Sequence, residues 1–246
     1  MELALVEAGY RTGGGRIAGQ MATPLTFGPI YCEDAIALSS FPIEPVNTIS
    51  NLAIVMFGVA ALYYTAKRAP RSLDLYLLGA LLVANGIGSG LWHGLREPWA
   101  LGFDVLPGLL FLFGVSFCWA RRLWSLGGAV FLVVAFFTAF GFSGALFPSA
   151  PRWVSIAPAV VVTGLLLIGQ TAMRSKEAAL FGGMALAGTL TALLFRTIDL
   201  NACSYISVGT HFLWHIFNSA GAFAGVVALV TLQNAEPARS EPAAAG

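Results

Sequence analysis

Residues 207–232 read SVGTHFLWHIFNSAGAFAGVVALVTL. This run contains no Asp, Glu, Lys or Arg, and it exceeds the roughly 20 apolar residues that carry a helix across a bilayer. His211 and His215 stand one helical turn apart near its start, in Thr-His-Phe-Leu-Trp-His. Both imidazoles therefore share a face and can share a metal ion.

Six comparable stretches precede it, at about Asn47–Tyr64, Asp74–Leu95, Leu101–Ala120, Trp124–Phe147, Trp153–Met173 and Ala178–Phe195, the last with room to extend to Leu200. The composition agrees, with 57% apolar and only 10% charged residues, against about 25% charged in a soluble domain. The expected fold is all-α, an integral membrane bundle of seven transmembrane helices. Residues 1–46, with Gly13 to Gly15, Pro24, Pro29, Pro42 and Pro45, read as an extramembrane arm without the basic start and apolar core of a signal peptide. Residues 47–232 form one membrane domain, and the Ala-, Pro- and Glu-rich residues 233–246 read as a disordered tail. No internal repeat suggests a solenoid or an inverted-repeat transporter. Gly86, Gly88 and Gly90 fit close helix contact.

Loop charges orient the helices. Lys67, Arg68 and Arg71 follow the first span, Arg121 and Arg122 the third, and Arg174 and Lys176 the fifth. The opposite loops hold little beyond Arg96, Arg152 and Arg196. Basic residues stay cytoplasmic, so the N-terminus is expected outside and the C-terminus inside. A net charge of +1 without basic clusters excludes nucleic acid as a partner, and nothing specifies a protein partner.

His93 closes the second span, four residues after Ser89, and completes the full set of three histidines. With alternating helix directions His93, His211 and His215 reach the same depth in the outer half of the membrane. Asp104, early in the third span, belongs to that layer, where an ionisable residue needs a partner. Three neutral imidazoles and an open fourth position describe a catalytic zinc site, and zinc lowers the pKa of a bound water to about 7. Asp104 then suits a general base, and Ser89 a donor to a developing oxyanion or a holder of the water. Blander readings exist: interfacial His, Trp92 and Trp214 in an aromatic belt, or Asp104 as a helix cap. The convergence of three spans on one depth favours the metal.

The order Glu44-Pro-Val-Asn47-Thr-Ile-Ser50-Asn51, Ser89-x-x-x-His93, Asp104, Asp199, Cys203, His211-x-x-x-His215 resembles the alkaline ceramidases. They sit in a superfamily of seven-helix hydrolases that includes the adiponectin and progestin receptors. The likeness runs from about Tyr31 to about Phe223. The Tyr-Cys-Glu and Glu-x-x-Asn-x-x-Ser-Asn elements point to the ceramidases in particular. The resemblance implies zinc on His93, His211 and His215, service by Ser89 and Asp104, and hydrolysis of an N-acyl lipid such as ceramide to a fatty acid and a long-chain amine. The outside N-terminus also suits that branch.

The resemblance further implies a calcium site near the N-terminus, to which Glu33, Asp34 and Glu44 correspond, with at most a carbonyl from Tyr31. Ile30 and Ala35 stand where the family pattern has an Asp and an Asn. The alternative makes Glu33 and Asp34 solvated loop charges and Glu44 a cap of the first helix. A disulfide between Cys32 and Cys203 is likewise implied, while Cys118 reads as a packing residue. Arg196 and Asp199 are spaced to pair if their helix extends that far. Asn47, Ser50 and Asn51 fit bonds between helices, with Asn47 near enough to support Glu44. Two other classes compete with a lipid hydrolase. A lipid-responsive receptor with structural zinc needs a cytoplasmic signalling surface that short inner loops hardly provide. A metal or proton transporter needs ionisable residues through both leaflets.

Overall fold

The computed structural model describes residues 28–146 and 152–235. The glycine run at Gly13 to Gly15, Pro24 and the C-terminal tail from residue 236 lie outside the described residues. All regular structure among the described residues is helical. A 3-10 turn, Cys32–Ile36, precedes α1 (Pro45–Arg68), α2 (Leu73–Leu95), α3 (Pro98–Leu123), α4 (Leu126–Leu146), α5 (Arg152–Ser155), α6 (Ala157–Ala172), α7 (Lys176–Ala202) and α8 (His211–Ala235). Six of these helices, α1 to α4, α7 and α8, are long and apolar enough to cross a membrane, whereas α6 is apolar but shorter. The fifth apolar stretch is thus divided between α5 and α6. Pro158, in the first turn of α6, has no N–H with which to continue a helix through the break at Ile156.

The buried face of α1 carries Asn47, Asn51, Ile54, Gly58, Ala61 and Thr65, spaced alternately by four and three as one stripe of a helix. Ile49, Leu52, Met56, Val59 and Tyr63 lie on the exposed side. Small and polar groups inside with bulky apolar groups outside is the pattern of a helix that meets lipid. Glycines bring backbones together on the inner faces. A Cβ on Gly188 of α7 would lie 2.8 Å from the Gly221 Cα of α8, and one on Gly86 of α2 2.8 Å from the Val55 amide of α1. Gly90 meets only ordinary contacts.

The two ends of the bundle differ in chemistry. At one, Arg122 of α3 pairs with Asp74 of α2 at 2.7 Å and donates to Gln233 of α8 at 2.8 Å. Arg174 donates to the Arg122 carbonyl, and Asn234 to that of Arg68. Leu75, Leu78, Trp119, Leu167 and Leu229 form an apolar core toward this end. The end of α2, the first turns of α3 and the start of α8 meet at the other end, which holds all three histidines.

Candidate metal centre

His93 lies in the last turn of α2, His211 begins α8, and His215 follows one turn later; all three are buried. Their ring centroids are 4.7–5.1 Å apart, and one ligand nitrogen from each lies within 4.8 Å of the others. Each ring is anchored from outside the trio. His93 Nδ1–H donates to Glu44 Oε2 at 2.5 Å. Ser50 Oγ uses its one proton on the Asn47 carbonyl at 2.8 Å, so it accepts from His215 Nδ1–H at 2.7 Å. Protonated Nδ1 atoms on His93 and His215 leave each Nε2 lone pair free for a cation. The buried Nδ1 of His211 has no hydrogen-bond partner. Three imidazoles with carboxylate and hydroxyl partners behind two of them fit a transition metal such as zinc, because such outer bonds fix tautomer and ring direction.

Asp199 sets the start of α8. Its Oδ1 accepts from the Thr210 and His211 amides at 2.7 and 2.9 Å, and its Oδ2 from the Cys32 amide at 3.1 Å. These bonds satisfy donors that a helix start leaves free. The extension of the sixth stretch as far as Ala202 puts Asp199 there, and its carboxylate serves backbone amides as well as lying near Arg196. A disulfide joins Cys32 to Cys203 beside it, and Cys118 is a free thiol.

Ser89 and Asp104 lie next to each other. They line one cavity of about 480 Å³ with His211 and His215. Its wall continues through apolar residues such as Leu112 and Leu167 as far as Trp119. Gly88 makes this juxtaposition possible, since a Cβ there would fall on the Phe103 carbonyl. Pro107, inside α3, has no N–H for that carbonyl. Asn85 of α2 donates to the Asp104 carbonyl at 2.6 Å.

The sequence reading missed the side chain of Tyr31, which is buried against the histidines. Its ring stacks on His211 at 4.1 Å and tilts against His93 at 4.9 Å, with the guanidiniums of Arg196 and Arg96 at 4.5 and 5.3 Å. Burial pushes its hydroxyl up to about 12. The Tyr-Cys-Glu element was a signal for this segment, but it carried no information on which way the ring turns.

The three acidic residues assigned to calcium divide: Asp34 and Glu44 meet at Arg96, while Glu33 turns to the start of α1. Among the described residues, the group of His, Cys, Asp or Glu close enough to share an ion is the histidine trio. Glu33 is neither a solvated charge nor a free ligand: buried, it accepts from the Val46 and Asn47 amides at 2.7 and 2.8 Å, and so caps α1. Glu44 makes no side-chain cap; it holds His93, Asn47 and Arg96. Burial raises the Glu33 and Glu44 carboxyls, with the two amides opposing at Glu33 and mainly Asp34, Arg96 and Asn47 at Glu44. Burial, then the neighbouring Glu44, pushes Asp34 up to about 7. Calcium needs 6–8 oxygens; Glu33 is bonded to two amides, and Arg96 pairs with Asp34 and Glu44. Although Asp34 Oδ1 and Glu44 Oε1 accept no hydrogen bond, a divalent ion would have to displace the guanidinium.

A family model for the ceramidases matches residues 30–243, a span that takes in every residue of this centre. The chain belongs to the Ceramidase family. Membership supports, in general terms, an amidase that hydrolyses ceramide and so takes a lipid substrate, and the apolar helices are compatible with a multi-pass membrane protein. No curated protein matches the chain. In this ceramidase-family protein the buried His93, His211 and His215 can bind a metal ion.

Proposed function

We propose that this ceramidase-family chain is a zinc-dependent intramembrane amidase that cleaves the N-acyl bond of ceramide or a related N-acyl lipid, releasing a fatty acid and a long-chain amine. The observation that carries the reading is the trio of buried imidazoles, two held through Nδ1 by Glu44 and Ser50, at a cavity shared with Ser89 and Asp104. His93, His211 and His215 would hold the ion, which when bound polarises a carbonyl oxygen and makes water more acidic. Asp104 takes the proton of the attacking water as its oxygen bonds to the acyl carbon. It then delivers that proton to the amide nitrogen as the C–N bond breaks. The Ser89 hydroxyl, beside Asp104, is placed to steady the water or the oxyanion. The apolar wall toward Trp119 suits an acyl chain and keeps bulk water away.

The basic residues at the end opposite the histidines support a seven-crossing arrangement with the N-terminus outside, in which α5 and α6 together make the fifth crossing. The centre then lies in the outer half of the bilayer, within a membrane domain of residues 47–232 between an arm and a tail. The test is fatty-acid release from a panel of N-acyl lipids by protein purified in mild detergent, with and without a zinc chelator. Chelator-sensitive release with ceramide among the substrates is expected. No release from a protein carrying one zinc per chain would refute the amidase reading.

A further inference from the structure

Arg96 lies between Asp34 and Glu44, two of the three residues that the family resemblance assigns to calcium. Its Nε is 3.0 Å from Glu44 Oε1, and its Nη2 is 3.4 Å from Asp34 Oδ2 and donates to the Pro29 carbonyl at 2.9 Å. The side chain is 1% exposed and its guanidinium lies 4.3 Å over the Trp92 ring. Two carboxylates and a carbonyl from separate parts of the chain thus gather around a buried organic cation. The backbone gives a second, independent sign. Arg96 ends α2 with φ +54°, the one non-glycine with positive φ among the described residues. Glycine is the ordinary choice at such a helix end, and a side chain kept in a left-handed conformation at some cost points to a use for that side chain.

We propose that Arg96 is a built-in replacement for calcium: its guanidinium binds Asp34, Glu44 and the Pro29 carbonyl together, and through Glu44 it positions His93, so the protein neither needs nor binds calcium there. A divalent ion would have to enter against a buried positive charge already paired with both carboxylates, at 3.0 Å from Glu44 Oε1 and 3.4 Å from Asp34 Oδ2. The hydrogen bond between Glu44 and His93 extends the arrangement to the metal centre. This last link alone rests on the zinc reading above. Arg96 is a positioning residue: it does not itself line the cavity and acts through Glu44, Pro29 and Tyr31, which meet the metal centre or the cavity.

The first measurement is thermal unfolding of the detergent-purified chain, stripped with a calcium chelator and then titrated to millimolar calcium. An unchanged midpoint is expected, and a saturable rise of several degrees would overturn the proposal. The second is zinc retention against a competing chelator in R96Q and R96K. R96Q should lose about 10- to 100-fold in affinity, as removal of a group that supports a metal ligand does. R96K, which keeps the charge, should lose less. Retention in R96Q equal to wild type would overturn the positioning role, and equal losses in the two variants would overturn the role of the charge. If R96Q does not fold, the wild-type calcium titration and R96K against wild type still decide. A wild-type protein without zinc would refute the zinc reading while leaving the calcium titration able to test Arg96.

Discussion

Asp104 lines the cavity while His93 is buried behind it, and their surroundings assign them different tasks. His93 is held at Nδ1 by a carboxylate, whereas the Asp104 side chain lies beside a hydroxyl and lines the cavity. Replacing Asp104 with Asn should leave zinc content unchanged and lower turnover by about 10²- to 10⁴-fold, the usual worth of a positioned acid–base group. Metal analysis and fatty-acid release on the same sample check both halves; near-normal turnover would remove Asp104 from the mechanism. Asp34 gives a pH prediction of definite sign. Its folded-state pKa is raised from 3.8 to about 7, so the native state holds a proton that the unfolded chain releases. That contribution to stability is complete below the unfolded value and is lost as pH rises through about 7. Asp34→Asn should flatten the fall in unfolding temperature between mildly acidic and neutral pH, and parallel wild-type and variant profiles would count against the assignment.

Helix contacts decide whether these residues meet. The contact of α2 with α3 at Gly88 is the tightest of those on which the centre depends, because the obstacle to a side chain is the Phe103 backbone carbonyl, which has no rotamer with which to move aside. Gly88→Ala should force α3 outward, cost about 1–3 kcal/mol as overpacking does, and separate Ser89 from Asp104. Gly90→Ala, two residues on, meets open contact at 3.8 Å and is the control. Equal stability and turnover in the two variants would show that helix spacing is not what holds the pair. The starts of α1 and α8 follow another logic. Each is capped by a carboxylate distant in sequence or from a preceding helix, Glu33 for α1 and Asp199 for α8. Local sequence offers Glu44, next to α1, only as the alternative to its calcium assignment, whereas the cap comes from Glu33.

At the scale of the whole molecule, the disulfide closes the site end. It ties the turn that carries Tyr31 and Glu33 to the end of α7 across 171 residues of sequence, and Asp199 beside it takes the Cys32 amide. Opening it with Cys203→Ser should lower stability by about 2–4 kcal/mol. Because Tyr31 rests on His211 and His93, it should also weaken metal retention. Thermal unfolding with metal analysis tests this, and an unchanged midpoint would mean that packing alone holds the segment. The opposite end, clamped by Arg122, Asp74 and Gln233, should be indifferent to that change.

The helical fold, six of the seven expected spans and the convergence of three histidines, a serine and an aspartate were legible in the sequence. Run length, loop charge and i,i+4 spacing are local properties, and a bilayer permits few alternatives to helices for such runs. The partners that orient the site were not legible. Ser50 reaches His215 across 165 positions and Glu44 reaches His93 across 49, and no local pattern specifies which polar residue will meet which ring. The same limit explains the acidic cluster. The family resemblance implied a cation site on Glu33, Asp34 and Glu44, but only the tertiary structure brought Arg96 onto Asp34 and Glu44 and turned Glu33 to the start of α1, so that burial and pairing decided what these carboxylates do.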